Sequence, residues 1–165
     1  MLKTTITMIP VHFTNGKIEI LLQRRINSGK HAWFHTWEFP QGKWEKLPEY
    51  SFLEFAEYKF KNETGMQLDS IQVSPDKWIR QGYSHCVPEF DPFIITCADD
   101  ELALHFFVKC NGKPINTNHA DNHRWISLEH LEDFVKVNSI CPLNKLAVEK
   151  ILKLYLSGGE IVYIS

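Results

Sequence analysis

Trp37 to Met66 reads WEFPQGKWEKLPEYSFLEFAEYKFKNETGM, and its second half is a helix that carries its own punctuation. Pro48 and Glu49 suit a helix start, because a proline is preset for the first turn and a carboxylate is favoured at the positive end of the helix dipole. Phe52, Phe55, Ala56 and Phe60 recur at three- and four-residue spacing, the apolar stripe of a helix that lies on a core. Gly65 supplies the left-handed residue that closes it. This predicts a helix from about Glu49 to Thr64, with Ser51–Thr64 as its body. At about 100° per residue, Lys59 and Glu63 lie about 40° apart with Asn62 on the same flank, while Glu54 and Glu57 point to the opposite half. One face therefore presents a carboxylate, an ammonium and an amide together.

The end of this stretch, Glu63-Thr64-Gly65-Met66, and its opening, Phe39-Pro40-Gln41-Gly42-Lys43, resemble the Nudix box. That family pattern runs G-x5-E-x7-R-E-U-x-E-E-x-G-U, with U a bulky apolar residue, and Ala56 and Phe60 fall on its apolar positions. The resemblance implies an α+β chain, a Nudix-type α/β/α sandwich with a mixed β-sheet. It also implies hydrolysis of a nucleoside diphosphate-linked or triphosphate substrate with Mg or Mn. Three positions depart from the pattern: Tyr58, Lys59 and Asn62 stand where it has Arg, Glu and Glu. Gly42 to Gly65 also spans 23 residues where the pattern requires 21, so two residues are inserted between Lys43 and Pro48. The early glutamate of the box is then Glu45 or Glu49, and Glu49, directly ahead of the helix, is favoured.

These departures bear on the metal. Carboxylates at 59, 62 and 63 would converge on a hard divalent cation, for which oxygen ligands are suited; only Glu63 survives as a metal ligand. Lys59 brings a positive charge to the same place, and at an effective dielectric of about 20 each unit pair at about 4 Å is worth ~4 kcal/mol. Any Mg or Mn is expected to bind weakly. Glu63 and Glu49 are the candidate catalytic residues. The candidate substrate-binding residues are Arg24, Arg25, Gly42, Lys43, Lys59 and Trp44. Lys59 could meet a phosphate directly, which defines a second reading: a non-catalytic module that binds a nucleotide or phosphorylated metabolite.

Around the box, Thr4–Phe13 reads as a strand, Asn15-Gly16 as a hairpin turn and Ile18–Arg24 as the returning strand. Leu21-Leu22-Gln23-Arg24-Arg25 resembles the phrase that ends this strand in the family. Alternation along a strand sends one arginine to the cleft and the other to solvent, and the planar guanidinium is shaped to grip phosphate. Ile71–Tyr83 holds a strand, Pro92–Cys97 is a second short apolar run, and Leu102–Lys109 reads as a strand. A polar loop follows from Asn111, then a short strand at Arg124–Ser127, a helix at Leu128–Val135 and a last helix at Leu143–Leu156. His119 and His123 lie in NHADNH, read as part of the loop. Asp121, Glu101 and Glu89 are the downstream acids that could act as base or ligand.

Trp33, Trp37 and Trp44 flank the box loop; Trp37 is read as core, and the other two as loop caps or stacking surfaces for a base. The 165 residues predict one domain spanning 1–165. A formal charge of −2 gives no nucleic-acid or membrane bias. No apolar run approaches a membrane span. Cys86, Cys97, Cys110 and Cys141 form no C-x-x-C pair and read as free thiols, which points to the cytoplasm.

Overall fold

The computed structural model describes residues 3–26, 33–44, 51–80 and 90–158. In chain order the elements are β1 Lys3–Thr14, β2 Lys17–Arg25, β3 Trp37–Glu38, β4 Gln41–Lys43, α1 Phe52–Thr64, β5 Gln67–Ser74, β6 Lys77–Arg80, β7 Ile94–Ala98, β8 Glu101–Asn111, β9 Ala120–Ser127, α2 Leu128–Val137 and α3 Pro142–Leu156.

The central path of the sheet runs β3-β2-β1-β8-β5-β6, with β4 added on β1, β7 on β8 and β9 on β2. β1 and β8 run parallel and the other ladders are antiparallel, so the sheet is mixed. β1 organises it by dividing its length. Its last residues, Val11–Thr14, pair with β2 across the Asn15-Gly16 turn, where both residues take positive φ as a tight hairpin requires. Thr5–Thr7 pair instead with β4. Pro10, with no N–H to give, sits at the changeover. The two partners part beside β1, and the cleft described below opens there.

Alternation along the strands sends side chains to two cores. Ile6 and Met8 of β1, Leu21 of β2 and Phe106 and Val108 of β8 meet Leu53, Phe55, Ala56 and Phe60 of α1. Ile9, Val11, Ile20, Leu22 and Phe107 meet Leu128 and Leu131 of α2 and Ala147, Val148 and Ile151 of α3. One helix on one face and two on the other make the α/β/α sandwich. α1 begins with a capping box, in which Ser51 accepts from the Glu54 N–H and Glu54 accepts from the Ser51 N–H, and it ends on Gly65 at φ 74°.

Two sequence readings change. Ile71–Arg80 holds parts of two strands rather than a single one: β5 and β6 form a hairpin across Ser74–Lys77, where Pro75 removes a donor and the Gln72 amide donates to the Pro75 carbonyl. NHADNH is not wholly loop either. β9 starts at Ala120 and pairs back to Arg25, with a bulge between Leu22 and Arg24 and Asn122 at φ 49°. Long-range pairing with β2 overrides the local polarity there. Among the described residues no helix is long and apolar enough to cross a membrane. Cys97, Cys110 and Cys141 are free, and Cys86 lies outside the described residues.

Candidate active site

A cleft of about 320 Å³ lies where β2 and β4 part, lined by Thr5, Arg25, Glu38, Gln41, Gly42, Lys43, Lys59, Asn62, Glu63, Glu101 and His119. Grooves of about 660 and 890 Å³ flank the outer side of α1 and strand β6, but neither holds a buried ionisable side chain. The small cleft holds three, Glu38, Glu63 and Glu101.

Glu63 is at the last turn of α1, 9% exposed, and its Oε2 accepts from the Gln23 amide at 3.2 Å. Burial, then the neighbouring Glu38 charge, pushes its pKa up to about 8. Its backbone carbonyl meets His123 Nε2 at 3.2 Å, which ties the end of the helix to β9. Glu38, on the two-residue strand β3, is also buried; Arg25 Nη1 donates to it at 3.1 Å and the Gln41 amide at 3.0 Å. Burial raises its pKa to about 7 even against the Arg25 charge. Gln41 is in turn fixed by the Thr7 hydroxyl and the Asn144 amide, and Asn144 also accepts from the Phe39 N–H. The floor of the cleft is thus hydrogen-bonded through to α3.

The cations have distinct stations. Of the arginine pair, Arg25 lines the cleft. Arg24 makes a two-pronged ion pair with Asp121, 2.8 Å on each arm, on the other side of β2. This pairing also occupies Asp121, whose pKa it lowers. Lys59 lies with its stem on the loop: a Cβ built on Gly42 would sit 2.7 Å from its Cδ, so Gly42 gives the lysine its room. Lys43 adds a third cationic side chain. Trp44 does not line the cleft; its ring packs on Phe52 and Phe55 of α1. Trp33 and Trp37 are buried. Glu101 and His119 stand on the cleft wall, and the i,i+4 spacing of His119 and His123 is not helical. Glu49, Glu45 and Glu89 lie outside the described residues.

The NUDIX domain model matches residues 2–142, most of the chain. The chain belongs to the NUDIX family. No curated protein matches it by sequence. Solved structures share the fold at low identity. A MutT structure from work on Aliivibrio salmonicida and Vibrio cholerae is 16% identical, with TM-score 0.63, covering 93% of this chain and 98% of its own. MutT from Methanosarcina mazei Go1 is 14% identical, with TM-score 0.58 and 93% and 95% coverage. A C. elegans Ap4A hydrolase is 15% identical, with TM-score 0.55 and 95% and 99% coverage.

A resident divalent metal, which the NUDIX family implies, does not fit the described donor set. No three acid, histidine or cysteine side chains among the described residues stand close enough to share an ion. Glu38 already answers Arg25 and Gln41, and the Lys59 stem lies across Gly42 at the same cleft. Hard cations take six or more oxygens, several of them charged.

The box resemblance does not single out Glu38, although one signal for it is present in the sequence. Trp37 and Phe39 both enter the core shared with α2 and α3, so alternation turns the glutamate between them to the opposite face of the sheet, where the cleft lies.

Proposed function

We propose that this NUDIX chain cleaves the diphosphate bond of a nucleoside diphosphate-linked or triphosphate substrate, slowly, with Glu63 as the base. The observation that carries this reading is the burial of two carboxyl groups, Glu63 and Glu38, on the floor of a cleft rimmed by Arg25, Lys43 and Lys59. A site built only to hold phosphate gains nothing from buried acids, which repel the ligand and cost stability. A hydrolytic site needs one. Burial keeps Glu63 near neutrality in its pKa, where a carboxylate can take the proton of an attacking water. In this reading water attacks phosphorus, Glu63 Oε receives its proton, and the leaving phosphate departs with its charge facing the cationic rim. Glu38 holds Arg25 in place for that charge. Mg²⁺ or Mn²⁺ arrives on the polyphosphate as part of the substrate, and the protein alone binds it with a dissociation constant no better than about 1 mM.

A second reading rests on Lys59 and Asn62. They occupy the cleft face of α1, with Lys59 already a fixed positive charge. The cleft would then grip a nucleotide or phosphorylated metabolite without turning it over.

Phosphate release measured over a panel of nucleoside diphosphate-linked compounds, with Mg²⁺ supplied, separates the two. Hydrolysis lost at least about 100-fold in Glu63→Gln, with binding retained, is the expected outcome. Binding without turnover across the panel selects the second reading.

A further inference from the structure

Gln23, in the middle of β2, is a polar residue at a core position. Leu21, Gln23 and Arg25 alternate onto the side of the strand that faces α1. Leu21 enters the core beneath that helix and Arg25 lines the cleft, so Gln23 stands between core and cleft. It is fully buried where an apolar side chain would extend the core. A buried amide has to be satisfied by its neighbours, and this one is satisfied only in part. Among the described residues its Oε1 has no partner, which leaves a desolvated acceptor with nothing to offset its burial. Packing alone does not account for a glutamine here.

The nitrogen end accounts for it. Nε2 donates to Glu63 Oε2 at 3.2 Å. Gln23 is also the direct partner of Glu38 across the β2–β3 ladder, so the two side chains leave the sheet on one face, and the amide favours the ionised Glu38 as well. Turning the amide over would give its idle oxygen a place beside Glu63, but against a carboxylate oxygen. The charged groups facing Glu63 are Glu38 from β3, Arg25 from β2 and Lys59 from its own helix. Lys43, Glu101 and His119 stand on the same cleft wall, and His123 of β9 meets the Glu63 carbonyl. Burial, then Glu38, raises the Glu63 pKa; of the influences that lower it, Gln23 is the largest, ahead of Arg25 and Lys59.

We propose that Gln23 is the positioning residue of the base: its buried amide donates to the ionised Glu63 and braces it beside Glu38, so that a carboxyl sunk in the fold can still lose its proton and take one from water. This rests on the reading of Glu63 as base given above and adds the group that keeps it working near neutral pH.

Carbon-13 NMR titration of the side-chain carboxyls tests it, in the full chain as wild type and as Gln23→Met. Methionine keeps the length of glutamine and offers no donor. In that variant the Glu63 carboxyl is expected to titrate about 1–2 pH units above wild type, the equivalent of one hydrogen bond to a charged group, and Glu38 should move the same way. In wild type the Gln23 side-chain amide signals should follow the Glu63 titration with the same midpoint, a measurement that needs no variant. On any substrate that the phosphate-release panel identifies, the acid limb of kcat/KM against pH should move up with the carboxyl in Gln23→Met. An unmoved Glu63 midpoint in Gln23→Met, amide signals indifferent to the Glu63 titration, or a kcat/KM lowered equally at every pH overturns the role of Gln23 and leaves Glu63 as the base. A wild-type Glu63 that titrates in the ordinary carboxylate range overturns both.

Discussion

Lys59 is the residue on which the chemistry of this NUDIX chain turns. In the family pattern its position holds a carboxylate. Here it holds an ammonium whose stem lies against Gly42, half-buried and within reach of the Phe55 ring at 5.6 Å. A stem held that way loses less freedom on meeting a phosphate than a free surface lysine does. Replacing Lys59 with alanine should therefore weaken pyrophosphate binding by ~1.5–3 kcal/mol, the worth of a charge-assisted hydrogen bond, and a chelator should not change the result. The double variant Lys59→Glu with Asn62→Glu should do the opposite to metal affinity, because three carboxylates then share one helix face. Titrations of pyrophosphate and Mn²⁺ into the three proteins check both. Unchanged pyrophosphate affinity in Lys59→Ala would remove the lysine from the site. The sequence exposed the lysine but not its packing, since Gly42 lies seventeen residues away along the chain and meets it only once β4 has docked.

At the level of elements, what the sequence carried was whatever its own neighbourhood decided. The α1 stripe, the Ser51–Glu54 box and the Gly65 stop are all local, and the helix is where the spacing puts it. β9 was only half legible because its first residues are strand by virtue of β2, and β5–β6 divide at a turn that breaks an otherwise continuous pattern. Gly65 offers the sharpest check on a local feature. It takes φ 74°, and a Cβ there would lie 2.3 Å from Ile115 Cγ1. Gly65→Ala should destabilise the fold by at least ~1–2 kcal/mol from the left-handed backbone alone, with Ile115 displaced in addition. Denaturant unfolding with an unchanged midpoint would mean that α1 ends differently. A fold that tolerates this change would also relax the Glu63–Gln23 contact, which the same helix end holds.

Across the whole molecule, the candidate site is drawn from five strands and one helix, and that is why it was the least legible part. Glu38 reaches the cleft through β2–β3 pairing, and Asn144 of α3 steadies Gln41 from about a hundred residues away. Such a site has a global cost that can be measured. Glu63 and Glu38 have folded pKa values of about 8 and about 7, raised from 4.5 chiefly by burial. A carboxyl raised in the fold binds more protons there than in the unfolded chain between the two values, so stability is highest below about pH 4.5 for these groups. It falls as pH rises through the folded pKa. Asp121, whose pKa Arg24 lowers, works in the other direction and only below its ordinary value of 3.8, so the windows do not overlap. Glu63→Gln keeps the shape and removes the charge. Its melting temperature should decline less than that of wild type between about pH 4.5 and 8, with the variant the more stable protein at the upper end. Melting curves collected in chelator across that range test this, and parallel curves for the two proteins would show that the fold does not hold a proton on Glu63. If the curves diverge as expected, the chain is maintaining an acid at a cost to its own stability, which is what a working base requires and a passive phosphate clamp does not.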